Sequence, residues 1–96
     1  MKLRYTERAI ADLEAIQEYI AQFNPSAAIT IGSRIKGAIE LLEDFPGLGR
    51  PGRKTRVLLV AATPYAVYDT VDRRLEEVSI LHIRHGRRRP LRSREL

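Results

Sequence analysis

Both histidines of the chain and four of its arginines fall in one stretch, Ile80-Leu81-His82-Ile83-Arg84-His85-Gly86-Arg87-Arg88-Arg89-Pro90. It starts apolar and turns cationic past Ile83. Guanidinium groups grip phosphate or carboxylate through paired N–H donors, and an imidazole titrates near neutral pH. A strand carrying these residues leaves a row of donors at its C-terminal end, suited to phosphates or to an acidic partner. The plainer alternative is a core strand running into a solvated basic tail. Two histidines three residues apart on a strand point to opposite faces, which makes a poor metal site. A second cationic group, Arg50, Arg53, Lys54 and Arg56, lies in and just after the loop Pro46-Gly47-Leu48-Gly49-Arg50-Pro51-Gly52-Arg53-Lys54. It is a further candidate for a phosphate-contacting edge, although basic loops commonly do no more than face water.

The frame that must hold these groups is small. Ninety-six residues make one domain, and such a domain buries only ~60–65% of the surface its unfolded chain exposes. Any chemistry therefore belongs to one small face or to a partner. The chain has no cysteine, which excludes disulfides and thiolate metal sites and fits a reducing, cytoplasmic setting. No apolar run approaches the ~20 residues of a membrane span, and no signal-peptide core is expected at the N-terminus. No metal, cofactor or membrane role is expected. Charge is uneven: residues 1–44 hold five basic and seven acidic residues, residues 45–96 hold twelve and five. The basic C-terminal half points to a polyanion or an acidic protein on one side.

Lys2-Leu3-Arg4-Tyr5 alternates as a short strand does, and Thr6 is placed to cap a helix. Ile10, Leu13, Ile16 and Ile20, with Ala9 and Phe23 at the margins, predict an amphipathic helix over 7–22. Arg8 and Asp12 stand at ion-pair spacing on it, as Lys36 and Glu40 do on the next helix. Asn24-Pro25 opens that second helix, whose stripe is Ala28, Ile31, Ile35, Ala38/Ile39, Leu42 and Phe45 and which ends at Phe45-Pro46. The short link reads as a helical hairpin. Three glycines and two prolines predict no regular structure over 46–54. Strands are expected at 55–60, 65–71 and 75–84, joined by short turns as an antiparallel meander. Neither helix can bury its stripe alone, so the pair packs on one sheet face. The fold class is α+β, in the order β-α-α-β-β-β, with one domain over 1–90 and a mobile tail over 91–96.

This order, with Asn24-Pro25, Phe45-Pro46-Gly47-Leu48-Gly49-Arg50-Pro51-Gly52, Pro64-Tyr65-Ala66-Val67-Tyr68 and His85-Gly86-Arg87-Arg88, resembles the RelE/ParE superfamily of bacterial toxins, most closely the ParE branch. The resemblance spans residues 5–90. It implies a small toxin held inactive by a cognate acidic antitoxin in a hetero-oligomer. ParE-like members poison DNA gyrase without being enzymes, whereas RelE-like members are ribosome-dependent ribonucleases that cut messenger RNA. Fold alone does not choose between these.

A ribonuclease of this kind would use His85 as acid/base, with Arg53, Arg56, Arg84 and Arg87 on the phosphate. The family's nucleases have a tyrosine or histidine near the C-terminus, but here the tyrosines stand at 5, 19, 65 and 68, none after the last strand. That departure favours the gyrase reading. On either reading the surface expected to meet target or antitoxin is Arg50, Arg53, Lys54, Arg84, His85, Arg87, Arg88 and Arg89. A third possibility, resting on basicity alone, is a nucleic-acid-binding module without toxicity. His82 is expected to be a partly buried strand residue, and Tyr65 and Tyr68 either pack or stack on a base.

Overall fold

The computed structural model describes residues 1–86. Arg87, Arg88 and Arg89, and the expected tail, lie outside the described residues. Seven elements follow in order: β1 (Lys2–Tyr5), α1 (Glu7–Ala21), α2 (Pro25–Asp44), β2 (Arg50–Pro51), β3 (Arg56–Leu59), β4 (Tyr65–Asp72) and β5 (Glu77–His85). Both helices start where the chain supplies caps. Thr6 Oγ1 accepts the Ala9 N–H at 3.1 Å, and Asn24 Oδ1 accepts the Ala27 N–H at 3.0 Å ahead of Pro25. Each such cap stabilises by ~1 kcal/mol. Thr6 also donates to the Ile80 carbonyl at 2.7 Å, which ties the start of α1 to β5.

The five strands form one sheet in the order β1-β5-β4-β3-β2. The meander β3-β4-β5 is antiparallel, as expected. The sheet as a whole is mixed, because β5 returns beside β1 in parallel, Leu3 opposite Val78 and Tyr5 opposite Ile80. The helical hairpin is the crossover that a parallel pair requires. One further strand was not expected: Arg50 and Pro51 pair with Val57 and Arg56 as β2, inside the loop read as irregular. Proline lacks an N–H but is tolerated on an edge strand, and β2 is the edge.

Leu13, Ile35, Ile39 and Leu42 from the helices meet Val67, Val78, Ile80 and Ile83 from the sheet. In α1 the core-facing residue of the first turn is Ala9, fully buried, while Ile10 is half exposed. Phe45 and Phe23, at the ends of the two expected stripes, are 58% and 72% exposed. α1 and α2 approach closely at Gly32, where a Cβ would run into the Gln17 amide, which itself donates to the Ala28 carbonyl.

β5 contains a bulge. Asp69 stands opposite Ile80 and Tyr68 opposite His82, so Leu81 has no partner on β4. The extra residue resets the alternation, letting Val78, Ile80 and Ile83 all face the core. Among the described residues, no strand lies beside the outer edge of β5 beyond Tyr5. There the Asp12 carboxylate of α1 accepts the Ile83 N–H at 3.1 Å and the Arg8 Nε–H at 3.3 Å. The expected Arg8–Asp12 pair therefore exists and also closes a sheet edge.

Candidate functional site

The two cationic groups read from the sequence lie at different ends of the sheet. A tight turn, with the Gly52 N–H on the Thr55 carbonyl at 2.7 Å, swings Arg53 and Lys54 into solvent between β2 and β3. Arg56 follows on β3, half-buried, with Nη1 on the Gly49 carbonyl at 3.2 Å. At the same end, Asp72 Oδ1 accepts the N–H groups of Arg74 and Leu75 and turns the chain from β4 into β5. This turn holds Arg73 against the β2–β3 turn. Arg53, Lys54, Arg56 and Arg73 thus share an open cleft of about 290 Å³, with Asp69 and Thr70 among its walls. Arg50 stands next to it on β2, exposed.

His85 lies elsewhere. It is opposite Tyr65 at the end of β5, its ring 5.5 Å from the tyrosine ring at 73°, edge to face. Arg56 is opposite Asp69 and His85 opposite Tyr65, four residues apart on β4 and on strands two positions apart. At ~3.3 Å per residue and ~4.8 Å per strand, their backbones are about 16 Å apart. Arg84 is exposed and, by strand alternation, leaves β5 on the face opposite to His85. Gly86 closes the strand: its N–H meets the Pro64 carbonyl at 2.7 Å, and a Cβ there would crowd Ala66. Arg53, Lys54 and Arg56 are therefore brought together, and His85 and Arg84 are not brought to them.

His82 points to the face opposite His85, beside Tyr68, with the rings 6.3 Å apart. Burial, the Arg8 charge and, to a lesser extent, Arg84 push its pKa below the usual imidazole value, with Asp12 opposing them more weakly than Arg8. Its buried Nδ1 has no hydrogen-bond partner among the described residues. Tyr65 packs in the core as expected, and Tyr68 is buried as well.

Two ionisable residues of the cleft were missed in the sequence. Arg73 falls between the strands expected at 65–71 and 75–84, and only the fold brings it to the loop. Asp69 had a visible signal, a lone carboxylate inside the strand Tyr65-Ala66-Val67-Tyr68-Asp69-Thr70-Val71. It is fully buried, and among the described residues neither carboxylate oxygen has a hydrogen-bond partner. Burial raises its pKa to about 6, against the smaller opposing pull of Arg56.

Against known proteins, the pattern of the ParE toxin of type II toxin–antitoxin systems matches residues 3–90. The chain belongs to this family. It is a toxin of the type II class. Toxin RelE2 of Caulobacter vibrioides is 42% identical over 84 residues, covering 88% of this chain and 93% of that one. The protein Y4kP of Sinorhizobium fredii is 36% identical over 83 residues, covering 84% and 86%. Among solved structures, the chain of a chromosomal ParDE system from P. aeruginosa superposes with a TM-score of 0.78 at 28% identity, covering 88% of this chain and 95% of that one. A chain of the RelBE2 toxin–antitoxin complex of Mycobacterium tuberculosis gives 0.59 at 21%, with the same coverage, and shows the fold alone. Among the described residues no helix is long and apolar enough to cross a membrane.

Proposed function

We propose that this ParE-family toxin arrests growth by binding and poisoning DNA gyrase, and that an acidic antitoxin neutralises it in a hetero-oligomer. One observation carries the choice of target: the strand register that sets the backbones of His85 and Arg56 ~16 Å apart. Metal-free phosphodiester cleavage needs the proton-transfer group and the phosphate-holding cations within hydrogen-bond reach of one phosphate. An arginine side chain does not span that separation. A cationic surface that the histidine does not reach is instead suited to gripping acidic or nucleic-acid-bearing protein surfaces.

The antitoxin reading is supported by the family, whose members are toxins of type II toxin–antitoxin systems, and by the relative from the chromosomal ParDE system of P. aeruginosa. It has a physical motive too. β2 covers only two residues of β3, and Leu59 at the far end of β3 is 63% exposed. Such an edge, flanked by arginines, favours an acidic amphipathic segment that orders on binding.

The test is a supercoiling assay with purified gyrase and the purified chain. Loss of supercoiling with accumulation of cleaved DNA–gyrase complexes is expected, reversed by antitoxin. Unaltered supercoiling together with cutting of messenger RNA on programmed ribosomes would overturn the gyrase reading in favour of the nuclease. Inertness in both assays, with normal growth on antitoxin-free expression, would leave the nucleic-acid-binding module.

A further inference from the structure

Asp69 is a charge that folding has stranded. It sits mid-strand, fully buried, in the wall of a cleft, and among the described residues both its oxygens are unpartnered and the other ionisable groups of the cleft are all cations: Arg53, Lys54, Arg56 and Arg73. Arg56, directly across on β3, gives its Nη1 to the Gly49 carbonyl and makes no hydrogen bond to Asp69. A buried carboxylate without donors is costly, so its free acceptors invite a ligand that donates to both.

A carboxylate takes paired donors in the side-by-side geometry of its two oxygens. Two common biological groups offer such a pair, a guanidinium and the N1–H/N2–H₂ edge of guanine. A guanidinium would enter among four cations and be repelled. Guanine is neutral, and the phosphate it carries is attracted by the same cations. Adenine and cytosine place an acceptor beside their donor, and uracil flanks its single donor with acceptors, so each would set a lone pair against the carboxylate. The volume, about 290 Å³, is at the lower end of small-molecule sites and leaves room for one base with its phosphate at the rim.

We propose that the cleft between the β2–β3 and β4–β5 turns is a guanine-nucleotide site, in which Asp69 reads the base and Arg53, Lys54 and Arg73 hold the phosphate. The Arg56 side chain swings off the Gly49 carbonyl to admit the base. The site is independent of the choice between gyrase and ribosome as target.

The experiment is calorimetric titration of the full chain with GMP, AMP, CMP, UMP and guanosine. GMP is expected to bind at least tenfold tighter than the other three nucleotides, and guanosine more weakly than GMP. Asp69→Asn, which replaces one acceptor by a donor, should abolish the preference for GMP over AMP while the thermal transition is retained or raised. Arg73→Gln, at an exposed position, should weaken GMP and leave guanosine unchanged. This second variant keeps the proposal testable if Asp69→Asn does not fold. A short single strand containing one guanine identifies the source: tighter binding than GMP marks a guanine in a nucleic-acid strand, equal or weaker binding marks the free nucleotide. Equal affinity for all four nucleotides, a GMP preference that survives Asp69→Asn, or indifference of GMP to Arg73→Gln would overturn the proposal.

Discussion

At the scale of single residues, Asp69 and His85 have opposite consequences. The folded state holds the Asp69 proton up to about pH 6, against an ordinary value of 3.8. Folding therefore favours its protonated form. The stability associated with this group is full below about pH 4 and is lost as pH rises through about 6, amounting to roughly 2–3 kcal/mol at neutral pH. Asp69→Asn should accordingly raise the unfolding free energy by roughly 1–3 kcal/mol at pH 7.5 and by much less at pH 4, which denaturant titration of both proteins at both pH values would check. An equal increment at the two pH values would contradict the assignment of the cost to the buried charge. His85, by contrast, packs edge-on to Tyr65 far from the clustered cations. If the protein poisons gyrase, His85→Ala should leave growth inhibition within a few-fold of the parent. General acid–base catalysis by the same residue would instead make the loss roughly 10²–10⁴-fold. A plating assay with graded expression separates the two.

At the scale of elements, Thr6 joins three of them. Its hydroxyl caps α1 and reaches the Ile80 carbonyl of β5, and its backbone N–H binds that same carbonyl at 3.1 Å just past β1. Thr6→Ala leaves the Ala9 N–H without its acceptor and should cost about 1–2 kcal/mol in chemical denaturation. Thr6→Ser, which keeps the hydroxyl, should recover most of it. The cap was legible because Thr6 precedes an apolar periodic run, and Asn24-Pro25 was legible for the same reason. The helices and the three-strand meander followed from period and punctuation alone. What was not legible depended on partners distant in sequence. The parallel seat of β1 beside β5 needs the hairpin to carry the chain across the sheet. The burial of Ala9 in place of Ile10 is set by which side of α1 meets β5. Pro51 entered a strand because an edge position asks nothing of its missing N–H. In the candidate site, Arg53, Lys54 and Arg56 could be grouped by proximity in sequence. Arg73 could not, because it arrives from a turn seventeen residues beyond Arg56. His85 was grouped with them by residue type, and strand register separates it.

At the scale of the whole molecule, the described residues leave both charge and apolar surface uncovered. Tyr19, Phe23 and Ile29 are 62%, 72% and 69% exposed around the tip of the helical hairpin, and Leu59 lies at the uncovered part of β3. A domain of 96 residues has little stability in reserve. A partner that binds only the folded state adds RT ln(1 + [L]/Kd), ~4 kcal/mol when free antitoxin is 1,000-fold above Kd. For a domain of this size that corresponds to a rise in Tm of roughly 15 °C or more. The net charge of +5 predicts how the gain depends on salt. If the acidic antitoxin is held largely by the arginines, the increase in Tm should shrink as salt is raised from about 0.05 M to about 0.5 M, since exposed pairs are screened over a few ångströms at the higher value. If the exposed apolar groups dominate, the increase should persist or grow, because salts that strengthen apolar burial act in the opposite direction. Scanning calorimetry of the chain with and without its antitoxin across that range measures the balance. A salt-insensitive gain that is also untouched by the triple change Arg53→Gln, Lys54→Gln, Arg73→Gln would remove the cationic end of the sheet from the antitoxin interface and leave the uncovered β3 edge and the hairpin tip as the surfaces that hold it.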